Sequence, residues 1–450
     1  MTLALDWKPI LDEAQAHFQD LLRIDTTNPP GNEKLAVDYL RGIFDREGIA
    51  YTVIDTAPGR QCITARLAGR QRDTGLMMTS HLDVVPVDRE HWRTDPFGGE
   101  ILDGEIYGRG AIDMKNVTAY SLAAFLAAKR NGWALEHDLV FNAFADEEAG
   151  CAQGSRVIVE KHPELIASKY ALNELGGFTL HLGGQRLYPI QVAEKGLVWL
   201  KMRVEGDPGH GSMPHHNNAV VKLARAVERL GRVSTPLKVH PIVNGFLDEM
   251  GKALGPVPSL FLKLARNPLF SDLILKKLMP DKDKAKVIYA SIRDTVNPTG
   301  LAAGKKVNVI PSVAEVTLDC RTVPGTTREQ LIREIVDIVG PGFTFEVIEE
   351  GMAIPSAFDT PMWNILERTI EARDPGARAV PYLIVGFTDD TEISKLGIRT
   401  YGFSPVKLPP GLEFSRLYHG HNERIPLDGF RWGVQTFTEA VHRYCVASGG

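Results

Sequence analysis

A histidine and an aspartate stand two residues apart at the end of an apolar run, where Gly75-Leu-Met-Met-Thr-Ser80 passes into His81-Leu-Asp83. A histidine at a strand terminus can ligate zinc through one ring nitrogen. Asp83 could hold the other nitrogen and so fix tautomer and orientation, although such pairs are also common as satisfied polar groups. Further on, the glycines of Gly108-Arg-Gly-Ala-Ile-Asp113-Met-Lys-Asn116 let the chain turn sharply before Asp113. That aspartate could bind a cation or equally cap the next helix. The apolar run Asp138-Leu-Val-Phe-Asn-Ala-Phe144 ends in Ala145-Asp146-Glu147-Glu148-Ala149-Gly150. Three adjacent acids repel one another unless a cation neutralises them or water solvates the loop. Two neighbouring glutamates suit two tasks, one ligating and the other accepting a proton from water. Tyr170-Ala-Leu-Asn173-Glu174 is again an apolar run ending in an acid, and His419-Gly-His421-Asn-Glu-Arg424 precedes the last helical pattern. Histidine, aspartate and glutamate without cysteine are ligands of hydrolytic rather than structural zinc.

The elements that would position these groups alternate between helix and strand in the first half. Leu11, Ala14, Phe18, Leu21 and Leu22 share one helical face, stopped by Asn28-Pro29-Pro30-Gly31. Leu35, Tyr39, Leu40 and Ile43 mark a second helix, and an Ala/Leu-rich helix is expected from about Thr118 to Arg130. Short, nearly all-apolar strands between helices predict a mostly parallel sheet with helices on both faces, an α/β fold. Its acidic loops would then lie at the carboxyl edge, where such sheets place their sites.

Near residue 197 the pattern changes: Val198, Leu200, Met202 and Val204 alternate with Trp199, Lys201, Arg203 and Glu205, a strand with one wet face. A helix with Ala219, Leu223 and Leu230 follows, then a strand near Val287 to Ile292, a strand through Ala314 to Cys320, a helix through Leu331 and Val339, and a strand near Thr344 to Glu349. This β-α-β-β-α-β order predicts an inserted α+β, ferredoxin-like domain. The expected division is 1–196 with 350–450 for the large domain and 197–349 for the insert, the latter carrying an apolar stretch at about 235–306.

Composition narrows the function classes. A formal charge of −5 over 450 residues, with no basic run, argues against a general nucleic-acid binder. Cys62, Cys151, Cys320 and Cys445 are far apart and read as reduced thiols of a cytoplasmic protein. Met1 to Asp6 has no basic flank, so no signal peptide is expected. The longest apolar region, Leu260 to Met279, is interrupted by Lys263, Arg266 and Asp272 and is not a membrane span. Neither nucleic acid nor membrane is expected as a partner.

Taken in order from His81 to His419, the motifs HxD, GRGxxDMK, DEExG, NE and a C-terminal histidine loop resemble the di-zinc aminoacylase family. That family includes acetylornithine deacetylase, succinyl-diaminopimelate desuccinylase, carboxypeptidase G and related dipeptidases. The resemblance implies a zinc-peptidase-like catalytic domain with a lid and dimerisation domain, and a homodimer acting on small N-acyl amino acids or short peptides. It implies two Zn2+ ions, with Co2+ or Mn2+ as alternatives: His81 and Glu174 on one, Glu148 and His419 on the other, and Asp113 bridging. Glu147 would be the general base and Asp83 the partner of His81. His421 stands two residues from His419 as the competing ligand. Leu175 departs from the family, whose members more often have glycine there.

The same resemblance gives Gly206-Asp-Pro-Gly-His210-Gly-Ser-Met-Pro214 an oxyanion-stabilising histidine, His210, which in dimeric relatives comes from the partner subunit. Asn308 and Arg321 match substrate-gripping lid positions, and a guanidinium can hold a carboxylate in bidentate fashion. Arg321 could equally be an exposed strand arginine. Gly386-Phe-Thr-Asp-Asp390 resembles a loop beside the site, with a backbone role expected. A long apolar insertion like 235–306 is similar to those of Gly-X carboxypeptidases and N-fatty-acyl amino acid hydrolases, and would line an acyl pocket or pack the lid. The expectation is a metal-dependent hydrolase of an amide bond beside a free carboxylate. The alternatives are a two-metal hydrolase of another bond class, such as a phosphoesterase, and a non-catalytic metal-binding relative.

Overall fold

The computed structural model describes residues 3–351, 358–412 and 414–446. The chain divides into two compact units: Met1–Val192 with Ser356–Tyr382 and Thr388–Gly450, and Ala193–Pro355 with Leu383–Phe387.

The first unit is built on a sheet of nine strands. In spatial order the main path runs Tyr51–Ala57, Arg60–Leu67, His137–Phe144, Gln71–His81, Tyr170–Asn173, Arg399–Gly402, Gln185–Glu194 and Arg378–Ile384, with Leu180–Leu182 paired to Gln185–Glu194. The four central strands, from His137–Phe144 to Arg399–Gly402, are parallel. Antiparallel pairs flank them. Leu76, Met77, Met78, Leu139, Val140 and Phe141 are fully buried, as expected of strands covered on both faces. Helix Lys115–Arg130 is buried over most of its length, and Phe430 of helix Leu427–Cys445 stacks on Phe18 of helix Trp7–Arg23 at 4.6 Å. Both aromatic faces are thereby removed from water.

Register brings the reactive ends together. His81 lies opposite Phe144 and Met78 opposite Leu172. His81, the Asp146–Glu148 loop and Glu174 therefore leave adjacent parallel strands at the same edge. The topology alone juxtaposes them.

In the second unit a four-stranded antiparallel sheet runs Thr295–Ala303, Val313–Thr322, Gly196–Glu205, Phe343–Gly351 in space. Helices Ala219–Arg232 and Arg328–Val339 cover the face made by Val198, Leu200, Met202, Val316, Leu318 and Cys320. Asn218 caps the first helix, and Thr327 with Gln330 forms a reciprocal capping box on the second.

The expected strand at Val287 to Ile292 is instead part of helix Lys282–Ser291, and the pairing strand is Thr295–Ala303. Asp281 accepts the amides of Asp283 and Lys284 and starts the helix. Ala285 and Ile288 bury at a spacing of three, which a strand would not do. The rest of the apolar stretch forms helices Pro241–Leu254 and Pro256–Ala265 and a short π-helical turn, Leu273–Leu278. Among the described residues no helix is long and apolar enough to cross a membrane. All four cysteines are free and buried.

Candidate metal centre

The site belongs wholly to the first unit. His81 is fully buried, and its Nδ1 faces the backbone carbonyl of Asp83 at 2.9 Å. With Nδ1–H donated to that carbonyl, Nε2 carries the free lone pair, the form a metal requires. The Asp83 carboxylate is 3.5 Å from Nδ1 rather than its nearest acceptor. Backbone carbonyl and side-chain carboxylate of Asp83 thus both face the same ring nitrogen, the carboxylate in ion-pair range. The carboxylate also accepts the amides of Glu147 and Glu148 at 3.1 Å each and the Asn28 amide at 2.8 Å. It thus pins the two-glutamate turn beside the histidine.

Asp113 lies between two imidazoles. Its Oδ1 is 3.1 Å from His81 Nε2 and its Oδ2 3.1 Å from His419 Nε2. Glu174 and Glu147 each place an oxygen 3.8 Å from His81 Nε2, and Glu148 is 3.1 Å from His419 Nε2. Three groups of donor atoms close enough to share a cation result: His81–Asp113–Glu174, Asp113–Glu148–His419 and His81–Glu147–Glu148. Asp113 belongs to the first two. His421 stands apart, stacked on His91 at 4.8 Å.

Electrostatics show a centre short of positive charge. Burial pushes the carboxyls of Glu147 and Glu174 well above the ordinary range, and burial with the nearby Asp113 raises Glu148. Burial opposes ionisation of Asp113 too, but hydrogen bonding to His419 and His81 overrides it and holds the group low. His419 is pushed up to about 10 by its hydrogen bonds to Asp113 and Glu148. Glu148 Oε1 is buried with no hydrogen-bond partner. Crowded carboxylates, an orphaned acceptor and two neutralisable imidazoles fit divalent cations, whose charge would replace the protons these acids otherwise hold.

Several positioning groups escaped the sequence reading. Glu423 is fully buried and accepts the amides of Gly110, Ile112 and Asp113 at 3.2, 2.8 and 3.1 Å. It pairs with Arg109 at 2.6 Å, and Arg109 in turn donates to the carbonyls of His419 and Gly420. Lys115 donates to the carbonyls of Leu21 and Ile24. Asp146, the first acid of its triplet, pairs with Arg60 and lies outside the donor groups. Arg60 and Asn28 gave no motif-level signal, whereas Arg109, Lys115 and Glu423 lay inside motifs already quoted. The Thr388–Asp390 loop also makes side-chain contacts with the strand that leads to Glu174. Asn173, next to Glu174, donates to Asp390 at 2.9 Å and Thr388 at 3.3 Å.

Leu175, directly after Glu174, has φ 61°, the left-handed region where glycine is unstrained. Gly154 is needed for another reason. A Cβ there would overlap the Ala145 carbonyl at the base of the two-glutamate loop. Gly154→Ala is expected to cost about 1–3 kcal/mol by overpacking. Thermal melting should show the loss, and a turnover assay a matching fall as Glu147 and Glu148 shift.

The profile of the peptidase family M20/M25/M40 matches residues 77–443. The chain belongs to this family. The M20 chain is 31% identical over 383 residues to the N-fatty-acyl-amino acid synthase/hydrolase PM20D1 of Xenopus tropicalis, covering 81% of this chain and 71% of that one. It is 27% identical over 435 residues to aminoacylase-1 of Sus scrofa, with 94% and 93% covered. An M20 metallo-carboxypeptidase from Sulfolobus solfataricus has the same fold, with a TM-score of 0.71 at 18% identity over 96% of this chain and 99% of that one. The chain is thus a metallopeptidase/aminoacylase-type hydrolase with a catalytic and a lid domain.

His210, Asn308 and Arg321 lie in the lid unit. His210 and Asn308 are exposed neighbours: Gly209 and His210 pair with Ile310 and Val309, and the Gly211 amide donates to the Asn308 carbonyl at 2.9 Å. Arg321 is half-buried rather than an open strand arginine. Its guanidinium grips Asp319 at 2.8 and 3.2 Å and lies over the Phe387 ring, leaving Nη1 buried without a partner.

Proposed function

We propose that this chain hydrolyses an amide bond next to a free carboxylate, as in an N-acyl amino acid or a peptide C-terminus, at a dinuclear zinc centre. The observation that carries the reading is Asp113, shared by two donor groups with Glu147 beside them. His81 and Glu174 would hold one ion, Glu148 and His419 the other, with Asp113 between; cobalt or manganese would suit the same donors. Two divalent cations there would polarise the scissile carbonyl and acidify a water molecule. Glu147 would take the proton of the attacking water and deliver it to the leaving nitrogen. Asp83 would keep the Glu147 turn and the His81 ring in register. In the lid, His210 would donate to the oxygen that gains charge in the transition state. Arg321, through the Nη1 that Asp319 leaves free, and Asn308 would hold the substrate carboxylate. The names of the relatives, an aminoacylase and an N-fatty-acyl-amino acid hydrolase, point to the same bond.

Amino-acid release from a matched panel of N-acetyl, N-long-chain-acyl and dipeptide substrates tests this, alongside elemental analysis of bound metal. Release that stops with chelator and returns with zinc is expected, at two ions per chain. Two ions bound with no release from any member would overturn the amide assignment. Fewer than two ions in an active enzyme would overturn the dinuclear centre.

A further inference from the structure

We infer that the helical insertion of the lid unit carries a docking face for an anionic phospholipid surface, centred on helix Pro256–Ala265. This is independent of the bond that the enzyme cleaves. The helix is apolar on two sides. Leu262 and Ala265 face inward and are buried. Val257, Leu260 and Phe261, one helical stripe, face solvent, with Val257 64% and Leu260 55% exposed. The adjoining segment repeats the arrangement. Ile274 and Leu275 are buried, while Leu269, Phe270, Leu273 and Leu278 are exposed, Leu269 at 84%. These outward side chains are not enclosed by the described residues of this unit. A helix with an exposed apolar stripe opposite its buried one favours an apolar environment on its outer side as well.

Charge says which environment. Between Lys252 and Lys286 stand eight basic and three acidic residues, a formal +5 in a chain of −5, so the remainder carries −10. Lys263, within the helix, and Lys277, on the π-helical turn, are exposed and have no carboxylate partner among the described residues. Apolar side chains bordered by solvated lysines match the interface of an anionic bilayer, in which leucine and phenylalanine enter the acyl boundary and lysines remain at the phosphates. A second copy of the chain docked through this face would set +5 against +5, which opposes that occupant. The homodimer expected through the lid would use another surface.

Co-sedimentation of the full-length enzyme with vesicles tests the inference. One set is phosphatidylcholine alone; the other contains about one-third phosphatidylserine. Binding to the serine-lipid vesicles is expected to be at least about tenfold tighter, and to weaken at high salt. Leu260→Asp with Phe261→Asp should abolish it, and Lys263→Glu with Lys277→Glu should weaken it about tenfold or more. Unchanged thermal melting would show that these surface variants fold. No binding to the anionic vesicles, equal binding to both sets, or wild-type binding by the Leu260/Phe261 variant would each overturn the proposal. So would sedimentation velocity showing that the same variant converts a dimer to monomer, since the occupant would then be a second copy.

Discussion

Glu147→Gln is expected to lower kcat by about 10²–10⁴-fold with both metal ions still bound. Glutamine keeps the size and shape of the buried side chain, and the residue's own amide still donates to Asp83, so the turn has no reason to move. What disappears is the ability to accept a proton. Burial, reinforced by Glu174 and Glu148 and opposed by His81, raises the Glu147 carboxyl well above 4.5. Divalent cations in the adjoining donor groups would oppose that shift and leave a carboxylate able to take a proton from water and return it to an amine. A base works only when deprotonated, so the wild-type kcat/KM profile should fall on its acid side and the residual activity of the variant should lose that limb. KM should change little. Elemental analysis separates this role from ligation, because Glu147 also lies in the donor group His81–Glu147–Glu148. Loss of an ion together with activity would make Glu147 a ligand, and near-normal kcat with both ions bound would remove it from the proton path.

The parts of the centre legible in the sequence were those in which local pattern and chemistry coincide. His81 and Glu174 follow apolar strand runs directly, so a parallel sheet brings them to one edge without further information. The choice of His419 over His421 rested on the family resemblance, because the residues themselves do not separate the two. Two residues apart in one loop, they differ only in that the first turns toward Asp113 and Glu148 and the second stacks on His91. Asp83 was visible as a partner of His81, but not the fact that its backbone carbonyl also faces the ring or that its carboxylate holds the glutamate turn. In the lid, alternation identified the strands from 197 and 314, whose one wet face produces a period of two. It failed at 287–292, where five apolar residues in six concealed a helix started by Asp281. Arg109 and Glu423 were hidden for a more general reason. They act on backbone atoms of a loop about 310 positions away in sequence, and no local pattern encodes such a partner.

That hidden pair carries the second large prediction. Glu423→Gln should cost about 3–5 kcal/mol of stability, because Arg109, 2% exposed, would be left buried without its counter-charge. An amide also has one acceptor oxygen where the carboxylate has two. Gly110, Ile112 and Asp113 all donate to that carboxylate, and the glutamine NH2 would face at least one of these N–H groups. The loop that aims Asp113 would then be free to shift, and through the contacts of Arg109 with His419 and Gly420 so would the loop bearing His419. Because Asp113 and His419 sit in the same donor group, metal affinity should fall about 10–100-fold, the usual range for losing a group that orients ligands. A purely structural role predicts something different. Melting with chelator present would drop, but competition titration with a zinc indicator would give wild-type affinity for the fraction that remains folded. Arg109→Lys supplies the counterpart. It retains the charge beside Glu423 but loses the fork that reaches both carbonyls. If the pair positions Asp113 mainly through Glu423, this variant should melt lower yet bind metal almost normally. If His419 depends equally on Arg109, both variants should lose affinity together, and the two loops would form one unit held by a single buried ion pair.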